Sequence, residues 1–65
     1  MLLRINGETK EFEKNMGIID LLSGLGITQN IIIELNGEII KKDNWNEIML
    51  KDNDILEIVS IVGGG

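Results

Sequence analysis

Ile31-Ile32-Ile33-Glu34-Leu35-Asn36-Gly37-Glu38-Ile39-Ile40 is the stretch that decides the fold. A β-branched run, an Asn-Gly pair and a returning apolar pair make a β-hairpin. The tight turn between its strands needs positive φ at both central residues, and Asn followed by Gly accepts that most readily. Along the first strand Ile33 and Leu35 alternate with Ile32 and Glu34. Strand side chains alternate between faces, so Ile33 and Leu35 point to a core and Ile32 and Glu34 lie on the outer face.

The N-terminal stretch repeats the device. Leu3 and Ile5 alternate with Leu2 and Arg4, Asn6-Gly7 supplies the turn, and Glu8 to Phe12 return with Phe12 as core anchor. Between the hairpins the period changes. Ile18, Leu21, Leu22 and Leu25 fall at helical spacing on one face. Gly17 serves as N-cap, Asp20 favours the positive helix start, and Gly24 or Gly26 supplies the left-handed residue at the end. Towards the C-terminus a polar connecting loop runs from Lys41 to Asn46, with Trp45 capping the edge of the core. Asp52-Asn53-Asp54 forms a turn, with Asn53 at positive φ. The last strand spans Ile55 to Ile61, with Leu56 and Ile58 facing the helix and Ile55, Glu57, Val59 and Ile61 facing outward.

Hairpin, helix, hairpin, loop and strand define an α+β fold. One helix covers one face of a sheet, so it packs across a mixed sheet of four to five strands. The simplest layout puts the first and last strands side by side and parallel in the middle. That is the β-grasp, or ubiquitin-like, arrangement. Residues 1–62 form a single domain of this kind, and residues 63–65 a flexible Gly-Gly-Gly tail, because glycine costs the most entropy to order.

A chain of 65 residues buries about 60% of its unfolded surface and cannot wrap a deep substrate pocket while keeping a core. It has no cysteine and no histidine, so neither disulfides nor the usual zinc ligands are available. Stability rests on packing, for which 43% apolar residues with thirteen isoleucines suffice. The net charge of −5, with basic residues scattered apart from Lys41-Lys42, argues against a nucleic-acid partner. It suits docking on a basic protein surface. The start of the chain lacks signal-peptide character and no apolar run reaches a membrane span, so the expected place is the cytoplasm. No catalytic residue is found: the serines are Ser23 and Ser60, Asp52 and Asp54 are turn residues rather than metal ligands, and no metal site is expected.

The last strand runs directly into Val62-Gly63-Gly64-Gly65, and there the chemistry lies. Glycines make a thin arm that fits a narrow channel and brings the backbone close to a nucleotide. A terminal carboxylate activated as an acyl-adenylate needs such a closed, water-excluding cleft in its activating enzyme.

Several stretches together resemble one family: Ile5-Asn6-Gly7-Glu8, Leu21-Leu22, Leu25-Gly26-Ile27 and Ile33-Glu34-Leu35-Asn36-Gly37-Glu38-Ile39-Ile40, then Trp45, Asp52-Asn53-Asp54, Leu56-Glu57-Ile58-Val59 and Val62-Gly63-Gly64-Gly65. In this order and at this length the chain resembles the ThiS family, ubiquitin-like sulfur carriers of thiamine biosynthesis. Asp52-Asn53-Asp54 stands where the family usually has Asp-Gly-Asp, and Lys42 where it often has arginine. Asn tolerates the left-handed turn position, and lysine keeps the charge without the bidentate fork.

The resemblance implies a cycle at Gly65. A ThiF-like adenylating enzyme, using ATP and Mg²⁺, activates the carboxylate, a sulfur donor protein supplies sulfur to make a thiocarboxylate, and a ThiG-like thiazole synthase receives it. The carrier itself binds no cofactor. Val62, Gly63, Gly64 and Gly65 would enter the partner's active site. Glu34, Val59 and Ile61 form the expected docking surface, since exposed apolar residues beside the tail mark a binding patch. Two other readings share the same end: a sulfur carrier of the molybdopterin-synthase small-subunit kind, and a ubiquitin-like modifier joined through Gly65 to lysines. A third is an interaction domain whose glycine tail is idle.

Overall fold

The computed structural model describes residues 1–27 and 29–61. Strand β1 (Leu2–Ile5) turns into β2 (Glu8–Glu11), helix α1 (Ile18–Leu25) follows, and β3 (Ile31–Leu35) turns into β4 (Glu38–Ile40). A 3₁₀ helix (Lys42–Glu47) leads to the last strand, β5 (Asp54–Ser60). The five strands form one mixed sheet in the order β2-β1-β5-β3-β4. β1 and β5 are parallel in the middle, as the layout requires, and the other pairs are antiparallel.

Both hairpin turns have the expected backbone: φ is 50° and 86° at Asn6-Gly7, and 52° and 88° at Asn36-Gly37. The helix starts at Gly17, whose N–H donates to Asp20 Oδ2 at 2.9 Å, and ends at Gly26 with φ 75°. Gly17 also serves the packing. A Cβ there would stand 2.9 Å from the Ile48 carbonyl oxygen, closer than real Cβ contacts, and that oxygen accepts the Ile18 N–H at 3.1 Å. Leu50 N–H donates to Met16 O at 2.8 Å, so the helix entrance is tied to the stretch before β5.

The core forms between α1 and one face of the sheet. Leu3, Ile33 and Leu56 from three adjacent strands meet Ile18, Leu21 and Leu22 from the helix, with Ile31, Trp45 and Leu50 closing the sides. Phe12, Ile5, Leu35 and Ile58 are half-buried around this cluster.

Two local expectations are corrected. The stretch from Lys41 to Asn46 is not a plain loop: it winds into the 3₁₀ helix, which packs on α1. Trp45 lies inside the core, 4% exposed, rather than capping its edge. Its indole N–H donates to Ile40 O at 3.0 Å, and satisfying that one donor lets a large apolar ring be buried. The strand ends also shift: β2 stops at Glu11, and β5 starts at Asp54 and stops at Ser60.

The hairpin asparagines do more than turn the chain. Asn6 N–H donates to Leu56 O at 3.0 Å, its Oδ1 accepts the Ile58 N–H at 2.7 Å, and its Nδ2 donates to Ile58 O at 3.2 Å. The side-chain amide thus stands in for the next residue of β1. On the other side of β5, Asn36 N–H donates to Ile55 O at 2.7 Å and its Oδ1 accepts the Ile55 N–H at 2.9 Å. Asn36 Nδ2 donates to Asp54 Oδ1 at 3.0 Å, and Asp54 Oδ2 accepts the Lys51 N–H at 2.8 Å, which accounts for a nearly buried carboxylate. Both asparagines hold the central strand. Replacing either by glycine keeps the positive φ but removes the amide. Asn6→Gly and Asn36→Gly are each expected to cost about 1 kcal/mol, read as a lower urea midpoint. Unchanged midpoints would show that the clamps contribute nothing.

Candidate functional site

β5 is the central strand and carries the chain from the core towards its C-terminal residues. Leu56 is fully buried on the helix side, whereas Ile55, Val59 and Ile61 are about half exposed on the other face, at 47%, 50% and 53%. Val59 stands directly opposite Ile32 of β3, itself 40% exposed, and Ile61 follows two residues on. Ile61 N–H donates to Asn30 O at 2.7 Å, so the strand is anchored to the chain entering β3 up to this residue. Val59, Ile61 and Ile32 therefore make one apolar patch on the outer sheet face, at the end of β5 nearest the C-terminus.

Glu34 lies on the same face, half-buried, with Glu57 directly across from it on β5 and Ile39 across from it on β4. Ile39, at 67% exposure, extends the apolar surface beyond the expected residues. The alternation of Glu38-Ile39-Ile40 contained that signal, since Ile40 pairs with inward Ile33. Two carboxylates facing each other across a strand pair repel, and such pairs destabilise a sheet. The face thus combines exposed isoleucine and valine with an acidic pair. Of the expected site residues, Glu34, Val59 and Ile61 share this face. Val62, Gly63, Gly64 and Gly65 lie outside the described residues, as does the expected boundary between domain and tail.

Among the described residues no group of three or more acidic side chains could hold a metal ion, and no helix is long and apolar enough to cross a membrane. Asp52 is used locally: its Oδ1 accepts the Leu2 N–H at 2.6 Å. Asp54 is held by Asn36 and Lys51 as described. The clefts are small and open. One of about 290 Å³ lies between α1 and the 3₁₀ helix, lined by Ile19, Leu22, Ser23, Ile27, Lys42 and Trp45.

The family model described as "ThiS family" matches residues 3–65. The chain belongs to the ThiS family. It is 42% identical over 66 residues to the sulfur carrier protein ThiS of Bacillus subtilis (strain 168), covering 98% of this chain and 100% of that protein. A crystal structure of the thiamine biosynthesis protein ThiS from Geobacter metallireducens superposes with a TM-score of 0.87 at 30% identity, over the whole of both chains. The ThiS-like stretch also occurs inside larger proteins. The thiazole synthase of Paramagnetospirillum magneticum is 39% identical over 66 residues, which is all of this chain and 20% of that enzyme. The β-grasp fold expected from the hairpin pattern is the fold of the ThiS relatives.

The facing carboxylates give a test of the outer face. Glu57→Gln is expected to raise stability by about 0.2–1 kcal/mol through relief of the repulsion with Glu34, seen as a higher melting temperature. A lower melting temperature would mean that Glu57 is held by a favourable partner instead.

Proposed function

We infer that this protein is the sulfur carrier of thiazole formation in thiamine biosynthesis, acting in the cytoplasm as a protein cosubstrate rather than a catalyst. Full-length similarity to a ThiS sulfur carrier supports this reading most strongly. The chemistry is assigned to Gly65. A carboxylate oxygen of Gly65 attacks the α-phosphorus of ATP in a ThiF-like enzyme, Mg²⁺ balances the phosphate charge, and pyrophosphate leaves. A sulfur nucleophile from a donor protein then attacks the acyl carbon and expels AMP. With a persulfide as that nucleophile the product is an acyl disulfide, and a second thiol then attacks the donor's sulfur, so that a donor-side disulfide leaves and the thiocarboxylate remains. Sulfur on the terminal carbonyl needs no thiol on the carrier, in keeping with a sequence that has no cysteine.

The residues of the body serve recognition. Val62 packs at the mouth of the partner's channel, and Gly63 and Gly64 thread it because no Cβ widens the arm. Val59 and Ile61 dock against an apolar surface, and Glu34 with Glu57 meets a basic side chain that relieves their mutual repulsion. A ThiG-like thiazole synthase receives the sulfur. The occurrence of a ThiS-like stretch within thiazole synthases supports that partner, since fused domains place carrier and acceptor in one chain.

Incubation with ATP, an adenylating enzyme and a sulfur source should raise the intact mass by the difference between sulfur and oxygen. A chain lacking Gly65 should show no gain. A mass increase matching an isopeptide adduct on another protein would favour the modifier reading. Val59→Asp is expected to fold, since the side chain is half exposed, and to raise KM for the carrier about tenfold or more by burying a charge at the contact. Unchanged KM would remove Val59 from the docking face.

A further inference from the structure

Around the end of β5 the described residues leave one side of the strand unpaired, away from the docking face. Hydrogen bonds fix which way each backbone group points. Leu56 and Ile58 turn theirs towards β1, where Asn6 meets them, and Ile55 and Ile61 turn theirs towards the β3 side. By alternation Ser60 points its N–H and C=O to the β1 side. β1, however, pairs with β5 only as far as Ile5 opposite Leu56, and its place beyond Asn6 is vacated as the chain turns into β2. No described residue stands in register with Ser60 on that side.

A notch of about 290 Å³ opens at the same point, on the helix side of the sheet, lined by Ile5, Phe12, Leu25, Ile27, Ile58 and Ser60 among others. Its walls are more apolar than polar, with Glu8 and Lys10 also contributing, and Leu25 in its lining is 43% exposed. A strand edge whose N–H and C=O meet no partner among the described residues, beside an apolar slot, is complementary to one kind of occupant. An extended polypeptide satisfies the backbone groups and seats an alternate side chain in the slot.

The distance to Gly65 points to whose polypeptide it is. Gly65 lies five residues beyond Ser60, and five residues span at most about 18 Å. An enzyme that closes around the Gly65 carboxylate must bring its own chain within that distance of Ser60. We propose that the adenylating enzyme adds an extended segment beside Ser60, pairing with its backbone and placing an apolar side chain in the notch. This rests on the carrier reading. It adds a strand-edge contact on the opposite face of the sheet from Val59 and Ile61, so the enzyme grips β5 from both faces.

Ser60→Pro tests it, because proline removes the N–H and is tolerated in a strand where that group faces solvent. In ATP-dependent adenylation with the full chain and its adenylating enzyme, Ser60→Pro should raise KM for the carrier about tenfold with kcat little changed. A KM within about twofold of the parent overturns the proposal. Exchange of the Ser60 amide in the unmodified chain gives an answer that does not depend on the variant's folding. It should slow at least about tenfold when the enzyme is added. No slowing overturns the proposal. Protection already present in the dilute free chain would mean that residues 62–65 fill the edge, and protection that grows with the chain's own concentration would mean a second copy does. Either result also overturns it. Loss of Gly65 separates the two levels: adenylation that survives the deletion sinks the carrier reading, whatever Ser60 reports.

Discussion

The structure depends on the pairing of β5 between β1 and β3. The two long-range strand pairings of the sheet meet on this strand. β1 lies parallel to it and β3 antiparallel, Leu56 fills the centre of the core, and the hairpin asparagines Asn6 and Asn36 complete the hydrogen bonding on its two sides. The parallel contact joins the two ends of the chain, with Leu3 opposite Asp54. Such a contact closes nearly the whole chain into a loop and is costly in entropy. Buried isoleucine and leucine on both partners, together with the two amide clamps, offset that cost.

The same strand links fold to function. Its inner residues, Leu56 and Ile58, are held by the helix side, and its outer residues, Val59 and Ile61, remain exposed. A strand divided in this way can be fixed firmly and still offer a surface. The sheet edges are otherwise kept from unwanted pairing. β2 is the exposed, charged run Glu8-Thr9-Lys10-Glu11, and β4 is only three residues long. Ser60 differs because it lies on the central strand, past the end of its neighbour.

Much of this was legible in the sequence because it rests on local rules. Asn-Gly fixes a turn through backbone sterics, and Ile18, Leu21, Leu22 and Leu25 report a helix face through spacing. Alternation in β3 and β5 correctly divided Ile33 from Ile32 and Leu56 from Val59. Features that depend on distant partners were not legible. The side chains of Asn6 and Asn36 look like turn residues until β5 is beside them. Trp45 sits in a polar stretch whose burial depends on α1 and on the Ile40 carbonyl. The repulsion between Glu34 and Glu57 needs the register of two strands separated by a hairpin and the 3₁₀ helix.

A folded body that holds its last strand from both sides can hand over a carboxylate without itself doing chemistry. The most direct measurement follows the sulfur. The chain, carrying an isotopically labelled thiocarboxylate at Gly65, is incubated with thiazole synthase and its other substrates in the presence of excess unlabelled sulfide. The label is expected in the thiazole, with the chain returned to its carboxylate. Thiazole built from unlabelled sulfide while the label stays on Gly65 would contradict the account.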